Sequence, residues 1–191
     1  MGKNNKYNDI LTATQKLFFK YGIKKVTIED ICKDANVSKM TFYKFFPNKM
    51  ELAKILLDKI FEHYFDIFEK LMESDISFSE KMRGIVQMKL DYAKDANWDF
   101  IVDIFKKQDD ELGIHIQKWI RIGLDKTVAY FVEAQKKGFM RKDLHPTMLL
   151  MLLDKMQEVA LDDRVLAAYP NAQELTKEIT KFFLYGISDE R

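Results

Sequence analysis

The sequence predicts an all-α protein with about nine helices. Apolar residues recur at spacings of three and four along most of the 191 residues, which is the period of an amphipathic helix. Only seven glycines and three prolines interrupt these patterns. Hydrophobic residues make up 47% of the chain and charged residues 32%, a balance typical of a globular protein with a sizeable core.

Two helices with clear end signals open the chain. The first is predicted over about residues 7–20, and Gly22 ends it because glycine accepts a positive φ. Thr27 begins the second helix, since its hydroxyl can accept a backbone N–H and Asp30 completes a capping box three residues later. We expect this helix to end near Asp34.

A tight turn and a short third helix follow. Asn36 tolerates the left-handed backbone that such a turn requires, and Ser38 is placed to cap a helix that runs to about Lys44. Val37 and Phe42 are expected to fill the angle between the two helices. Two short helices joined by three residues form a helix-turn-helix, whose second helix characteristically enters the major groove of DNA.

A long helix then leaves this unit. Asn48 is its predicted N-cap, and apolar residues continue at helical spacing to about Met72 without a breaker. About 24 residues at 1.5 Å per residue make a rod of roughly 36 Å. The sequence therefore predicts a lever between an N-terminal helix-turn-helix domain, residues 1–48, and a C-terminal helical domain, residues 49–191.

The C-terminal part consists of further helices and short polar connections. Helices are predicted from a capping box at Ser77 to about Lys94, after Asn97, from Leu112 to Lys137 with Gly138 as the stop, over about 146–161, and over 172–187. The polar residues 108–111 are predicted as a connection, and Asp162 and Asp163 as a polar helix end. Residues 148–153 are apolar all round, so we expect one side of that helix to meet the core and the other to meet a second chain.

Charge is unevenly distributed although the net charge is only +1. Residues 1–60 hold twelve Lys+Arg and six Asp+Glu, whereas residues 61–191 hold nineteen and twenty-four. A basic head on a mildly acidic body is typical of a chain that contacts nucleic acid at one end. The alternative interpretation is an uneven but merely solvated surface.

The residue inventory argues against several classes of function. Cys32 is the single cysteine, so neither a disulfide framework nor a cysteine-based zinc site is expected. His63, His115 and His145 lack metal-ligand spacing. With no nucleophile motif, phosphate-binding glycine loop or paired carboxylates, we expect no enzyme, cofactor or metal. The absence of a signal region and of a membrane-spanning apolar run predicts a cytoplasmic protein without a membrane partner.

Four segments around the helix-turn-helix resemble the N-terminal domain of the tetracycline-repressor (TetR/AcrR) family. These are residues 17–22 (LFFKYG), 26–31 (VTIEDI), 37–39 (VSK) and 43–52 (YKFFPNKMEL). The resemblance is detailed over about residues 7–55, and only the architecture agrees beyond them. Asn36 replaces the usual turn glycine, Met40 replaces a frequent glycine, and Cys32 replaces a common alanine. We expect Cys32 to be a buried structural residue, with redox sensing as the alternative.

The resemblance implies a homodimeric transcriptional repressor. Its partners would be a double-stranded DNA operator, a second copy of the chain bound through the last two helices (about 146–161 and 172–187), and a small, largely apolar ligand that releases the operator. Eight residues are assigned to DNA contact: Thr27, Ser38, Lys39, Met40, Thr41, Tyr43, Lys44 and Lys49. Lys39, Thr41 and Lys44 are expected to reach bases or backbone. Ser38, Tyr43, Thr27 and Lys49 are expected to bind phosphates, which fix register without reading sequence.

Large aromatic and methionine side chains on the C-terminal helices are the candidates for the ligand site. They are Phe61, Tyr64, Phe65, Phe68, Met88, Tyr92, Trp98, Phe105, Trp119 and Met156. The competing interpretation for each one is ordinary core packing. Two alternatives stay open for the whole protein. The first is a DNA-binding protein controlled by a protein partner, or by no ligand. The second is a helical enzyme or scaffold whose basic head is incidental.

Overall fold

The computed structural model describes residues 2–94, 96–105 and 110–187. These residues form ten α-helices, which confirms the predicted fold class with one helix more than expected. Their bounds are α1 Gly2–Tyr21, α2 Ile28–Asp34, α3 Lys39–Tyr43, α4 Lys49–Glu73, α5 Phe78–Ala93, α6 Trp98–Phe105, α7 Glu111–Lys136, α8 Pro146–Ala160, α9 Asp163–Ala168 and α10 Ala172–Ile187. No helix within the described residues is long and apolar enough to cross a membrane.

The additional helix is α9, and the interpretation of Asp162 and Asp163 as a polar helix end is wrong. Asp162 is the N-cap of α9, and its carboxylate accepts hydrogen bonds from the Arg164 backbone N–H at 3.0 Å and from Arg164 Nε at 2.9 Å. The hydrogen bonds from Arg164 hold the pKa of Asp162 at about 2. A helix of six residues completes too few turns for apolar periodicity to reveal it.

Side-chain caps fix the helix starts as predicted. The Thr27 hydroxyl accepts from the Asp30 N–H at 3.2 Å, and the Asp30 carboxylate accepts from the Thr27 N–H at 2.9 Å. Ser77 and Glu80 form the same reciprocal pair at the start of α5. Asn48 caps α4 by accepting from Glu51 N–H at 2.9 Å. These contacts satisfy backbone donors that have no partner inside a helix.

The chain divides into two compact units. We call residues 1–63 and 95–116 the head unit, and residues 64–94 and 117–191 the body unit. The helix α6 thus groups with the helix-turn-helix, although α6 begins at Trp98 and the helix-turn-helix ends at Tyr43. The predicted functional boundary between residues 48 and 49 stays a prediction.

Each unit has its own apolar core. In the head unit the core is built largely of aromatic and aliphatic side chains with no more than 2% exposure, namely Ile10, Phe18, Ile31, Phe42, Phe46 and Leu52. In the body unit one cluster centres on Phe131, Ala134, Met140, Leu149 and Ile187. A second cluster centres on Phe68, Ile85 and Met88. Phe68 and Met88 of the second cluster, and Tyr64 and Tyr92 that pack against it, belong to the predicted ligand site.

Two glycines end helices with a left-handed backbone, and they differ in their surroundings. Gly22 has φ +82° and Gly138 φ +79°. A Cβ on Gly22 would lie 2.8 Å from Asp99 Cβ, whereas a Cβ on Gly138 would meet nothing within 4 Å. Gly22 therefore permits the close approach of α6 to the end of α1.

We expect Gly22→Ala to destabilise the protein more than Gly138→Ala. Both substitutions carry the cost of a left-handed alanine, about 1–2 kcal/mol. Only the first also forces Asp99 and its helix to move. Chemical denaturation followed by circular dichroism measures the difference, and equal losses for the two variants would contradict the close packing of α6 on Gly22.

Candidate functional site

The helix-turn-helix forms as the sequence predicts. Between α2 and α3, Asn36 has φ +51°, the left-handed conformation expected of it. The Val37 N–H donates to Cys32 O at 2.9 Å and closes the turn. Phe42 is completely buried and fixes α3 against the core. The hydrogen bond that closes the turn and the buried Phe42 ring together hold α3 in one orientation on the core.

The outward side of α3 presents cations and two large side chains. Met40 is 72% exposed and Tyr43 is 54% exposed, and the side chains of Lys39 and Lys44 are also exposed. A helix of five residues that buries Phe42 must turn its other side chains outward. We call Lys39, Met40, Tyr43 and Lys44 the α3 face.

Three hydroxyl residues of the predicted interface hold the helix starts. Thr27 caps α2, as described above, and its hydroxyl donates to Asp30 Oδ2 at 2.6 Å. Ser38 caps α3 by accepting from the Thr41 N–H at 3.1 Å, and its Oγ lies 3.0 Å from Thr41 Oγ1. Thr41 is half-buried, while Thr27 and Ser38 are exposed. Capping and DNA contact are compatible roles for an exposed hydroxyl, because it has further hydrogen-bonding capacity.

Lys39 forms an ion pair with Glu29 of α2. Their hydrogen bond lowers the pKa of Glu29 and raises the pKa of Lys39. Both side chains are more than half exposed, so water screens this pair and its contribution to stability is small. A phosphate oxygen could therefore replace Glu29 as the partner of Lys39 at little cost.

Lys49 is held more firmly than any other predicted contact residue. Its Nζ donates to three backbone carbonyls of the α1–α2 loop: Val26 O at 2.8 Å, Ile23 O at 3.0 Å and Lys24 O at 3.3 Å. Burial lowers the pKa of Lys49, and the Asp103 carboxylate opposes that shift. Three donors to three carbonyls use the full capacity of an ammonium group. Its assignment as a phosphate ligand stays a prediction, and in this structure the side chain positions the loop before α2.

Asp103 holds the same loop from the other side, and the sequence analysis did not identify it. Its Oδ2 accepts from Ile23 N–H at 2.7 Å and from Lys24 N–H at 3.2 Å, and the residue is only 7% exposed. The loop is thus bound at its N–H groups by a carboxylate of α6 and at its carbonyls by an ammonium of α4. An acid within the otherwise apolar residues 100–105 was the available signal, because buried acids require partners.

Further contacts join α6 to the end of α1 within the head unit. The Asn97 N–H donates to Phe19 O at 2.9 Å, and its side-chain amide donates to Lys20 O. Lys25 Nζ pairs with Asp99 Oδ2 at 2.6 Å. The positions of α1, α2 and α6 are therefore coupled through charged and backbone groups as well as through packing.

The predicted ligand residues divide between the two units. Phe61, Trp98 and Phe105 belong to the head unit, and the side chains of Trp98 and Phe105 lie outside the described part of the structure. The others belong to the body unit: Tyr64, Phe65, Phe68, Met88, Tyr92, Trp119 and Met156.

Within the body unit, the structure brings most of these side chains together. Tyr64 and Tyr92 pack against the cluster of Phe68 and Met88, and the rings of Tyr64 and Tyr92 meet edge to face at 5.2 Å. Phe65 lies 5.6 Å from the Tyr64 ring and 5.9 Å from Trp119. Met156 is half-buried on α8 and is not part of the two apolar clusters described above.

A groove between α4 and α7 borders this cluster. It has a volume of about 220 Å³ and is lined by Phe68, Glu69, Met72, Glu73, Lys126, Ala129 and Tyr130. Phe68, Met72 and Tyr130 also belong to the apolar cluster. Of these residues only Phe68 belongs to the predicted ligand site, because which faces of α4 and α7 meet depends on tertiary packing.

Cys32 is buried at 6% exposure, and burial raises the pKa of its thiol. A raised pKa disfavours the reactive thiolate. Within residues 2–94, 96–105 and 110–187, no three His, Cys, Asp or Glu side chains are grouped so that they could hold a metal ion.

The comparisons with known proteins agree with this geometry. Residues 10–55, which contain the helix-turn-helix, match the family model described as "Bacterial regulatory proteins, tetR family". Residues 10–55 therefore form a TetR-family N-terminal domain. Among curated relatives, the HTH-type transcriptional regulator YhgD of Bacillus subtilis is 25% identical over 126 residues, 66% of this chain and 64% of YhgD. The matched regions span between 43% and 64% of the first three curated relatives.

Solved structures extend the likeness of fold to nearly the whole chain. The regulatory protein TetR from Rhodobacter sphaeroides has a TM-score of 0.75 at 17% identity, with 95% of this chain and 98% of that chain covered. FadR from Bacillus subtilis, solved in complex with stearoyl-CoA, has a TM-score of 0.71 at 16% identity, with 95% and 99% covered. At 16–17% sequence identity, these two structural matches show the fold, including that of the body unit.

Proposed function

We propose that this chain is a DNA-binding transcriptional regulator, a homodimeric repressor that a small, largely apolar ligand releases from its operator. The observation that carries the proposal is the α3 face. It exposes Lys39, Met40, Tyr43 and Lys44 on a helix whose inner side is locked by a completely buried Phe42. The match of residues 10–55 to the tetR family model supports the same conclusion.

The chemistry of the α3 face suits the major groove. Lysine ammonium groups donate to guanine acceptors or to phosphates, and Thr41 can contact a base edge or a thymine methyl group. Exposed Ser38, Tyr43 and Thr27 hydroxyls would set the register through phosphate contacts. Met40 is 72% exposed although it is apolar, and we assign it an apolar contact with a base.

Selection of bound sequences from random duplex DNA tests this function. The expected product is a site with two related half-sites, separated by one helical turn or a multiple of it, because a two-fold dimer presents two α3 helices. Failure to retain any DNA at low salt would favour the enzyme or scaffold alternative. Retention of DNA that no small amphiphile weakens would favour control by a protein partner or by no ligand.

Exposed apolar side chains on α8 and α10 support the proposed dimer. On α8, Met148, Met151 and Leu152 are 51%, 57% and 43% exposed, whereas Leu149 beside them is 2% exposed. On α10, Phe182 and Tyr185 are 76% and 79% exposed. The two helices pack against each other, so these residues form a surface of the kind that an obligate interface covers.

We expect Phe182→Asp to convert the dimer into a monomer. A buried aspartate without a partner would cost several kcal/mol at an interface that two copies must share. Ile114→Asp is the control, because Ile114 is 64% exposed and apolar but lies on α7. Analytical ultracentrifugation should show a monomer for the first variant and a dimer for the second. If Phe182→Asp remained a dimer, the dimer interface would have to lie on another surface of the chain.

Ligand control requires that the ligand binds two conformations with different affinities. The helix α4 is suited to respond, because Lys49 in its first turn holds the loop before α2 while Tyr64, Phe65 and Phe68 further along carry the aromatic side chains of the body unit. We propose that ligand binding in the body unit favours an α4 position in which the two α3 faces no longer match successive major grooves. The stearoyl-CoA complex of FadR, a structural neighbour, supports ligand control on this fold.

A further inference from the structure

Two buried polar atoms in the body unit lack hydrogen-bond partners among the described residues. They are Tyr92 Oη on α5 and Gln117 Nε2 on α7. Leaving a buried polar group unpaired is costly, so such atoms are rare in folded proteins, and a bound molecule or ion can supply the missing partner. Tyr92 is also the side chain whose ring meets Tyr64 at 5.2 Å.

A lysine without a partner shares the inner face of α5 with Tyr92. Residues 85, 88, 89 and 92 of this helix fall within about 100° of one another, since successive residues are about 100° apart. Ile85 and Met88 are each 6% exposed, which identifies this face as the inner one. Lys89 lies on it, and within the described part of the chain no hydrogen bond or ion pair involves Lys89.

The environment of Lys89 disfavours its charge. Burial lowers the pKa of the Lys89 ammonium, and among the residues that the structure describes no carboxylate opposes that shift. Lysines are seldom buried without a partner, because an unpaired ammonium in apolar surroundings is costly. The position is therefore unfavourable for the ligand-free protein and favourable for an anion that would complete it.

The rest of the cluster is apolar and borders an open space. Phe68, Ile85 and Met88 form its centre, and Phe68, Met72 and Tyr130 also line the groove of about 220 Å³. Apolar walls with a few polar groups in fixed positions are the usual composition of a small-molecule site. The groove is also lined by Glu69, Glu73 and Lys126, of which Glu69 and Lys126 pair with each other. On the inner face of α5 the polar groups are the Tyr92 hydroxyl and the Lys89 ammonium, and an ammonium can only donate hydrogen bonds.

We propose that the inner face of α5 binds an amphipathic anion, with its carboxylate or phosphate head on Lys89 Nζ and Tyr92 Oη and its apolar body against Phe68, Met88 and their neighbours. This rests on the proposed ligand-controlled function and gives the ligand a chemical class. A cationic head would be repelled by Lys89. A neutral head would leave the ammonium without a counter-charge.

Isothermal titration calorimetry on the full-length protein, without DNA, tests the proposal. The probes share an eight-carbon chain and differ in the head: octanoate, octyl phosphate, 1-octanol and octylammonium. We expect the two anions to bind at least tenfold more tightly than the alcohol, and octylammonium to bind most weakly. Comparison of octanoate with octyl phosphate identifies which anionic head the site prefers.

Lys89→Met removes the ammonium while keeping an unbranched side chain. We expect this variant to lose the preference for anions and to melt a few degrees higher than the parent in the absence of ligand, because an unpaired buried charge has been removed. Lys94→Met is the matched control, since Lys94 is an exposed lysine at the C-cap of the same helix. It removes the same charge and should change neither the anion preference nor the melting temperature.

Two outcomes overturn the proposal: equal affinity of the parent for octanoate and 1-octanol, or an anion preference that survives in Lys89→Met. Retention of duplex DNA by the parent and by Lys89→Met is measured separately in the absence of probe. DNA retention without anion preference contradicts this assignment and leaves the proposed function standing. Anion preference without DNA retention contradicts the proposed function and leaves the ligand site standing.

Discussion

Replacing Asp103 with alanine is expected to destabilise the protein by about 2–3 kcal/mol, because the Ile23 N–H would remain buried without an acceptor and Lys49 would lose a nearby counter-charge. For a chain of this size, that corresponds to a fall in melting temperature of about 4–12 °C. Differential scanning calorimetry measures it. The loop before α2 would also be released at its N–H side, so we expect DNA affinity to fall as well.

Two further variants separate this effect from a general loss of charge on α6. Asp99→Asn breaks the ion pair with Lys25, in which both side chains are about half exposed or more, and should cost less than about 1 kcal/mol. Asp103→Asn keeps an oxygen acceptor at the same place and should lose less stability than Asp103→Ala. Equal losses for Asp99→Asn and Asp103→Ala would show that the contact with the loop contributes little.

The second large effect is expected for DNA binding by Lys44→Met. Removing an exposed cation from both copies of the α3 face should lower operator affinity about tenfold or more and weaken the salt dependence. Each lost phosphate contact reduces the slope of log K against log salt by about 0.9, so two copies reduce it by about 1.8. Filter-binding titrations at several salt concentrations measure the slope, and the melting temperature should stay unchanged.

Lys49→Met is the informative comparison. Because its ammonium is bound by three carbonyls of the α1–α2 loop, we expect this variant to lower the melting temperature and to leave the salt slope nearly unchanged. A slope reduced as much as in Lys44→Met would assign a phosphate contact to Lys49. An unchanged slope in Lys44→Met would instead argue that this lysine contacts no phosphate.

Most of the head could be predicted because its signals are local. The capping box at Thr27, the left-handed Asn36, the cap at Ser38 and the cap at Asn48 each depend on residues within about four positions of one another. Helical periodicity likewise gave the long helices to within a few residues at their ends, except that α1 begins at Gly2 and not at Tyr7. The short helix α9 could not be predicted from periodicity because it completes fewer than two turns.

The partners of charged groups could not be predicted, since they are distant in the chain. Asp103 accepts from Ile23 across 80 residues, and Lys49 reaches a loop 23 to 26 residues before it. The sequence placed Lys49 on the presumed DNA side from its position at a helix start alone. Lys89 could not be singled out from the sequence, because a lysine on an amphipathic helix looks like its solvated neighbours until the packing of the helix is known.

The sequence by itself determined the all-α class, the order of the helices, and a helix-turn-helix with cations on its outer side. These features follow from backbone geometry and from periodic burial, both of which act over a few residues. Only the tertiary structure decided that α6 packs with the head unit and that Lys49 and Asp103 hold one loop from opposite sides. It also placed Lys89 on the inner face of α5, where none of the described residues pairs with it. The physical reason is that the free energy of a buried charge depends on which groups surround it, and packing brings those groups from distant parts of the chain.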